Sequence, residues 1–100
     1  MIARYWSATT STDRAPLYFS HLKAAVVPEL KTLSGFQGCQ FLQRNVQNGV
    51  EIVVITLWES LNSIMRFAGD DVEEAVVTEK AAQLLDHYDR RVKHYEVTSL

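Results

Sequence analysis

Two basic side chains, Arg4 and His94, are the residues of this chain best suited to chemistry on a small molecule. Each lies in a segment with the alternation of a β-strand, and Glu96 shares the strand face of His94. Because histidine titrates near neutral pH, His94 is the candidate general base. Arg4, in a strand expected to be central, needs a carboxylate or a ligand oxygen, since an unpaired buried charge is costly. We therefore predict Arg4 and His94 as catalytic residues. An Arg4–Glu96 ion pair and a structural histidine are the alternatives.

Aromatic side chains near these two residues could bind a flat substrate. Trp6 lies two residues after Arg4 on the same strand face, and Trp58 ends a long apolar segment. Tyr18 falls on the first predicted helix and could reach a pocket from there. All three are predicted as substrate-binding residues. The alternative for each is an ordinary core aromatic, since tryptophan and tyrosine are mostly buried in any fold.

The remaining reactive residue types do not form a site. Cys39 is the only cysteine, which excludes an intrachain disulfide and a cysteine-based metal site, and we expect an inert buried thiol. His21 and His87 fall on predicted helices, without the spacing of a metal pair. The sequence therefore predicts no metal, and we expect no cofactor.

Composition limits the classes of partner. The chain has 100 residues, 47% of them apolar, and a net charge of −2, so we expect a single domain over residues 1–100. The basic residues are scattered, which argues against nucleic acid, and no apolar run approaches the length of a membrane span. The chain starts directly in a strand pattern without a signal peptide, so the cytoplasm is the expected compartment.

The first half of the chain is predicted to form a strand, a helix and a hairpin. The strand spans 2–9, and the helix that follows carries apolar residues at spacings of three and four, is interrupted by Pro28 and ends at Gly35. Strands over 36–47 and 50–58 follow, joined by Asn48-Gly49, a strong hairpin signal. A two-residue loop at this dipeptide sets an expected register, in which the pairs are Arg44 with Val53, Phe41 with Thr56, and Cys39 with Trp58.

The second half is predicted to repeat the helix and the strand. Ser60 caps a helix that ends at Gly69, a further turn or two is expected over 72–77, and a second helix spans 78–88. A last strand covers 91–98. The order β-α-β-β-α-β is the ferredoxin-like α+β pattern, a four-stranded antiparallel sheet with the first and third strands in the centre.

The third strand is apolar on both faces over residues 52–58, although the helices of the chain can cover only one of them. A second copy of the sheet would cover the other, so we predict a homodimer. If Trp58 lines a pocket, then Val54 and Thr56 must share its face under the helices, with Phe41 and Cys39 beside them. Val53, Ile55 and Leu57 would then meet the partner. The alternative is a sheet turned over, with Trp58 in the interface.

Several strings together resemble the antibiotic biosynthesis monooxygenases, a group of dimeric α/β-barrel proteins. They cover essentially the whole chain, and they are Ile2-Ala3-Arg4-Tyr5-Trp6, Leu33-Ser34-Gly35-Phe36, Thr56-Leu57-Trp58-Glu59-Ser60, Phe67-Ala68-Gly69-Asp70-Asp71 and His94-Tyr95-Glu96-Val97. The resemblance implies a homodimeric α/β barrel. It also implies either a cofactor-free oxygenase or a haem-degrading one, with its pocket between sheet and helices.

Residue by residue, the resemblance transfers only in part. Trp58 matches a pocket tryptophan of the quinone-forming monooxygenases, whereas Val54, Phe41 and Ile64 stand where those enzymes have asparagine and two tyrosines. Phe67 and Val77 stand where the haem-degrading branch has a tryptophan and the iron-ligating histidine, so we predict no specific haem degradation.

The function expected from the sequence is therefore a cofactor-independent monooxygenase that acts on a small phenolic or anthrone-like aromatic substrate. His94 would remove a proton, Arg4 would stabilise the carbanion, and the substrate would be bound by Trp58, Trp6, Thr56, Phe41, Val54 and Tyr18. The alternative is a non-catalytic homodimer on the same fold that binds a small apolar ligand or serves in assembly.

Overall fold

Two long strands form the centre of the molecule. In the computed structural model, which describes all residues 1–100, β1 (Ile2–Thr10) and β3 (Gly49–Trp58) pair antiparallel from Ile2 opposite Trp58 to Thr10 opposite Val50. β2 (Phe36–Val46) flanks β3, while two short strands, β4 (His87–Tyr88) and β5 (Lys93–Glu96), flank β1. The predicted ferredoxin-like topology, with the first and third strands of the prediction in the centre, is confirmed, but the predicted fourth strand is replaced by two short ones, so the sheet has five strands rather than four.

The first helical region is continuous from Ala15 to Leu30 but distorted just before Pro28, and it ends five residues before Gly35, where the sequence predicted its end. α1 (Ala15–His21) continues into one wide π-helical turn over Leu22–Val26, and α2 (Val27–Leu30) follows with Pro28 in its first turn. Proline has no N–H to donate and crowds the carbonyl four residues earlier, so the ladder widens before it and restarts at a position where proline is tolerated.

The hairpin register predicted from Asn48-Gly49 is wrong by two residues. Val46 pairs with Gly49, which leaves Gln47 and Asn48 as the loop. Phe41 therefore lies opposite Val54 rather than Thr56, Cys39 opposite Thr56 rather than Trp58, and Arg44 opposite Glu51 rather than Val53. Gly49 lies within the strand, where a Cβ would be 2.4 Å from the carbonyl oxygen of Thr10, so this position requires glycine for a reason other than the loop. A shift of two residues preserves the face of every side chain.

The C-terminal elements differ from the prediction in their boundaries. α3 (Leu61–Ala68) is capped by Ser60 and closed by Gly69 as expected, but α4 (Glu79–Leu84) stops four residues early. His87 and Tyr88 lie in β4 rather than in the helix, and the final strand β5 is shorter than the predicted range of 91–98. The edge of the sheet is interrupted after β4, at Asp89, whose carboxylate accepts hydrogen bonds from the backbone N–H and the hydroxyl group of Ser7.

Residues 72–77 form a strap that begins with one turn, in which the N–H of Glu74 donates to the carbonyl of Asp71, and then continues without the further helical turn that was predicted. The backbone of Glu74 forms an isolated antiparallel β-bridge with that of Arg91, while the carbonyls of Val72 and Glu74 accept hydrogen bonds from Arg4. On the outer side, Arg91 pairs with the carboxylates of Asp71 and Glu73. Carbonyls used by a distant arginine are not available for helical bonds, which explains the difference.

The two faces of the sheet are covered unequally. The even-numbered side chains of β3 are buried beneath the helices, from Ile52 at 0% to Thr56 at 8% exposure, whereas the odd-numbered ones remain half-buried. We call these the helix face and the open face. None of the helices is long and apolar enough to cross a membrane.

Candidate functional site

A cavity of about 340 Å³ lies between the helix face of the sheet, the helices and the strap. This volume is at the lower end of small-molecule pockets, roughly 300–1,000 Å³. Most of the wall is apolar, and the lining residues are Arg4, Trp6, Tyr18, Leu22, Val26, Glu29, Leu30, Leu33, Val54, Thr56, Arg66, Phe67, Val76, Val77, Thr78, Ala81 and Val92. Glu29 and Arg66 are exposed, so the cavity opens beside α2 and α3.

Five of the side chains chosen from the sequence line this cavity. β1 contributes Arg4 and Trp6, β3 contributes Val54 and Thr56, and α1 contributes Tyr18. Their common location follows from strand alternation, because even-numbered residues of two paired strands in this register share one face. Their roles in binding or catalysis remain predictions.

Arg4 is held firmly at the edge of the cavity. Nη1 donates to the carbonyl of Val72 and lies 2.9 Å from Nε2 of His94, while Nη2 donates to the carbonyl of Glu74 at 2.8 Å. The guanidinium also lies over the ring of Phe67, 5.7 Å from its centroid. These contacts fix the plane of the guanidinium, and Nε and one hydrogen on Nη2 are left without an acceptor in the chain.

The charge of Arg4 is not neutralised by the protein. The side chain is 5% exposed, yet none of the four ion pairs in the structure includes it. The alternative ion pair with Glu96 does not form, since Glu96 lies opposite Ile2 and is exposed. Burial lowers the pKa of Arg4 to about 10, so the group is still protonated at neutral pH. A buried, unpaired cation on a cavity wall favours a ligand with anionic oxygen.

His94 lies behind Arg4 rather than on the cavity wall. It pairs with Arg4 across β1 and β5, and since arginine can only donate, Nε2 accepts and the ring proton sits on Nδ1. Burial first, and then the positive charge of Arg4, lower the pKa of His94. The neutral imidazole is therefore a hydrogen-bond partner that orients the guanidinium in this structure.

Trp58 and Phe41 also lie outside the lining. Trp58 is 0% exposed, packs with Leu30 and Ile64, and donates from Nε1 to the Thr56 hydroxyl at 2.9 Å. Phe41 stacks against Tyr18 with ring centroids 6.3 Å apart. Both therefore support residues that line the cavity.

Two hydroxyl groups add to the polar part of the cavity. Thr56 Oγ1 accepts from Trp58, which leaves its hydrogen free to donate. The Tyr18 hydroxyl has no hydrogen-bond partner in the chain although Tyr18 is 5% exposed, and burial followed by the nearby Cys39 raises its pKa, so it stays protonated. Burial also raises the pKa of the Cys39 thiol, in line with an inert cysteine.

Glu29 and Arg66 at the mouth of the cavity were not predicted from the sequence, and Phe67 and Val77 were singled out only through the family resemblance. Glu29, Arg66 and Phe67 line the cavity from α2 and α3, and 76–78 close it from the strap side. The apolar spacing of the two helices placed them over the sheet, but no local signal indicated that the strap would be held by Arg4. Phe67 stacks on Trp58 at 5.4 Å between centroids.

No protein-family model matches the chain, and no curated protein matches it in sequence. Solved structures do match over nearly its whole length. A candidate antibiotic biosynthesis monooxygenase from Bacillus cereus has a TM-score of 0.69 at 15% identity, covering 100% of this chain and 95% of that one. The chain has the antibiotic biosynthesis monooxygenase fold.

Two further structures illustrate the range of proteins with this monooxygenase fold. SnoaB from Streptomyces nogalater, a cofactor-independent oxygenase, has a TM-score of 0.62 at 13% identity and covers 99% of this chain and 93% of its own. MhuD from Mycobacterium tuberculosis is a haem degrader, and its structure was solved with two haems in the active site. It has a TM-score of 0.59 at 18% identity, and the match covers 97% of this chain and 96% of MhuD. The resemblance inferred from the sequence is thus confirmed at the level of the fold.

Proposed function

We propose that this protein is a cofactor-independent monooxygenase acting on a small phenolic or anthrone-like substrate in the cavity beside Arg4. One observation carries the proposal: a buried guanidinium without a carboxylate partner on the wall of a mostly apolar cavity. The apolar wall suits a flat aromatic body, and the cation suits the oxygen on which negative charge develops when the substrate loses a proton. The fold shared with SnoaB is consistent with this chemistry.

The substrate itself supplies the electrons in the proposed reaction. Loss of one proton from a ring CH₂ gives a carbanion whose charge is delocalised onto the neighbouring oxygen, where Arg4 stabilises it. The carbanion transfers one electron to dioxygen, and the two radicals combine to form a C–O bond, giving a peroxide anion. This anion takes back the proton removed in the first step and becomes a hydroperoxide. The O–O bond then breaks, and the second hydrogen leaves with the departing oxygen as water. The CH₂ group and O₂ thus become C=O and H₂O, while the protein positions the substrate and stabilises charge.

His94 is retained as the proton acceptor, with one structural requirement. Its Nε2 lone pair is occupied by Arg4 Nη1, so the imidazole must turn away from Arg4 before it can take a proton, directly or through one water, while the carbonyls of the strap keep the guanidinium in place. The lowered pKa of His94 keeps the imidazole neutral and therefore competent as a base near pH 7. Replacement of His94 by glutamine should lower turnover and leave binding of the substrate largely unchanged.

The proposal includes a homodimer formed through the open face of the sheet. Val53, Ile55 and Leu57 of β3 alternate with the buried residues of the helix face but are only half-buried within one chain. Tyr5 lies opposite Ile55 on the central pair of strands and extends this apolar surface. A second copy of the same surface is the simplest cover for it, since C2 pairing is the commonest association.

A non-catalytic ligand-binding protein is the second candidate. It is favoured by the positions of His94 and Trp58, neither of which lines the cavity. In that case Arg4 would bind an anionic group and no proton would be transferred.

Oxygen uptake distinguishes the two candidates. Purified protein should accelerate oxygen consumption by dithranol, an anthrone, with formation of the anthraquinone and water. Arg4→Gln should lower the rate about 100-fold, because one donor aimed at developing charge is worth roughly 10²–10³ in rate. Arg44→Gln removes the same charge from an exposed ion pair and should leave the rate unchanged. If dithranol and other anthrones oxidise no faster than in buffer, the monooxygenase proposal is wrong.

A further inference from the structure

The buried polar groups of the cavity are all able to donate hydrogen bonds, and one of them carries an uncompensated positive charge. Arg4, Tyr18 and Thr56 are each at most 8% exposed and line the same cavity. Arg4 has no acceptor function at all. The charged groups Glu29 and Arg66 are exposed at the mouth and oppose each other in sign.

We infer that the natural ligand is a planar aromatic carboxylic acid, whose carboxylate is bound by Arg4 and whose rings occupy the apolar part of the cavity. The inference rests on the proposed function only in taking this cavity as the substrate site. It goes further by assigning the ligand a permanent negative charge. A phenolic or anthrone-like substrate that also carries a carboxyl group would agree with both the proposed function and this inference.

The geometry of the guanidinium favours a carboxylate over a single oxygen. Nη1 is fully used by Val72 and His94, whereas Nη2 has donated only one of its two hydrogens, to Glu74. Nε and Nη2 form one edge of the guanidinium plane, and carboxylates bind such an edge with two parallel hydrogen bonds. The surrounding contacts hold this plane in place before a ligand arrives, which lowers the entropic cost of binding.

The hydroxyl groups provide additional donors on the same side of the sheet. The Tyr18 hydroxyl lacks a partner in the chain, and the Thr56 hydrogen is free because its oxygen accepts from Trp58. Val54 and Trp6, also on the cavity wall, offer an apolar surface and an aromatic one to the rings. The cavity therefore combines one buried charge and two hydroxyl groups with a mostly apolar wall, as a polycyclic acid combines a carboxylate with apolar rings.

A matched pair of ligands tests this inference on the unaltered protein. We expect β-naphthoate to bind at least about tenfold more tightly than its methyl ester in isothermal titration calorimetry, since hydrogen bonds to a charged group are the stronger ones. Arg4→Gln should abolish the preference for the acid while the ester binds as before. Arg44→Gln, with the same change in charge at an exposed site, should keep the preference.

Because Arg4 also anchors the strap, the Arg4 variant could fail to fold, and Tyr18→Phe then provides a milder test. It removes only one hydroxyl and should weaken β-naphthoate about three- to tenfold without changing ester binding. Equal affinity for acid and ester, or no binding of the acid at millimolar concentration, overturns the inference. Binding of the acid without oxidation of dithranol leaves the inference standing and removes the proposed function. Oxidation of dithranol without a preference for the acid overturns the inference and leaves the proposed function standing.

Discussion

The two faces of one sheet differ in what covers them and in what they can do. On the helix face, Ile52 and Trp58 are fully buried and Arg4 lies in a cavity beneath the helices and the strap. On the open face, Val53 and Ile55 are the immediate sequence neighbours of buried residues but are themselves only half-buried within the chain. Because side chains alternate along a strand, a single apolar sequence supplies both a core and a second surface. The buried arginine and the cavity therefore lie on the helix face, whereas Val53, Ile55 and Leu57 form a half-buried apolar surface on the open face.

The largest expected effect comes from truncating the large, fully buried side chain at the end of β3 on the helix face. Trp58→Ala should lower the free energy of unfolding by about 3–5 kcal/mol, the usual range for truncating a buried aromatic residue. Trp58 packs against Leu30 and Ile64, and its loss would leave a void between β3 and two helices. Chemical denaturation at a fixed protein concentration measures the change. Leu17→Ala, at a side chain that is 54% exposed, is the control and should shift stability by less than about 1 kcal/mol.

A charge on the open face should separate the subunits without unfolding them. Ile55→Lys puts an ammonium group at the centre of the proposed interface, opposite Tyr5, and should raise the dimer dissociation constant at least about 100-fold. Gln43→Lys adds the same charge at an exposed position on the opposite side of the sheet and should not affect association. Analytical ultracentrifugation reports both. A native chain that sediments as a stable monomer at micromolar concentration would contradict the proposed dimer.

The smallest effect is a pH dependence that originates beside the cavity. Burial and Arg4 lower the pKa of His94 below its ordinary value of 6.5, so the unfolded chain binds this proton more tightly than the folded one. Stability from His94 is therefore fully present above about pH 6.5 and is lost as the pH falls below it. His94→Gln should flatten the loss of stability between about pH 7 and pH 5. His87→Gln, at an exposed residue of β4, is the control, and an unchanged pH profile in the His94 variant would be evidence against the assigned contact.

The strand pattern and the helix signals were sufficient to predict the topology, but not which face of the sheet the helices cover. Residues 52–58 are apolar on both faces, so the alternating burial of β3 is visible only in the structure. The hairpin register was not predictable from Asn48-Gly49 alone, since Gly49 is required in the strand by its closeness to Thr10. This contact joins residues that are far apart in the chain, so it cannot be predicted from the residues that neighbour Gly49 in sequence.

The candidate site was also predictable only in part, because strand patterns give the face on which a side chain lies and long-range contacts decide the rest. Arg4, Trp6 and Thr56 were selected from strand position and chemical type, and the cavity contains them. The contact of His94 with Arg4 and the strap over residues 72–77 depend on where β5 ends and which carbonyls are free, and both are tertiary properties. Sequence patterns identify which face a side chain occupies, but not the partner it finds there.

Methyl NMR with a bound ligand tests most directly the claim that chemistry and association occupy opposite faces. β-naphthoate added to methyl-labelled protein should shift the signals of Val54 and Thr56, which line the cavity, and leave those of Val53 and Ile55 in place. These four residues are consecutive in one strand, so each serves as the control for its neighbour. Shifts at Val53 and Ile55 with none at Val54 and Thr56 would contradict the account, because the ligand would then lie on the open face.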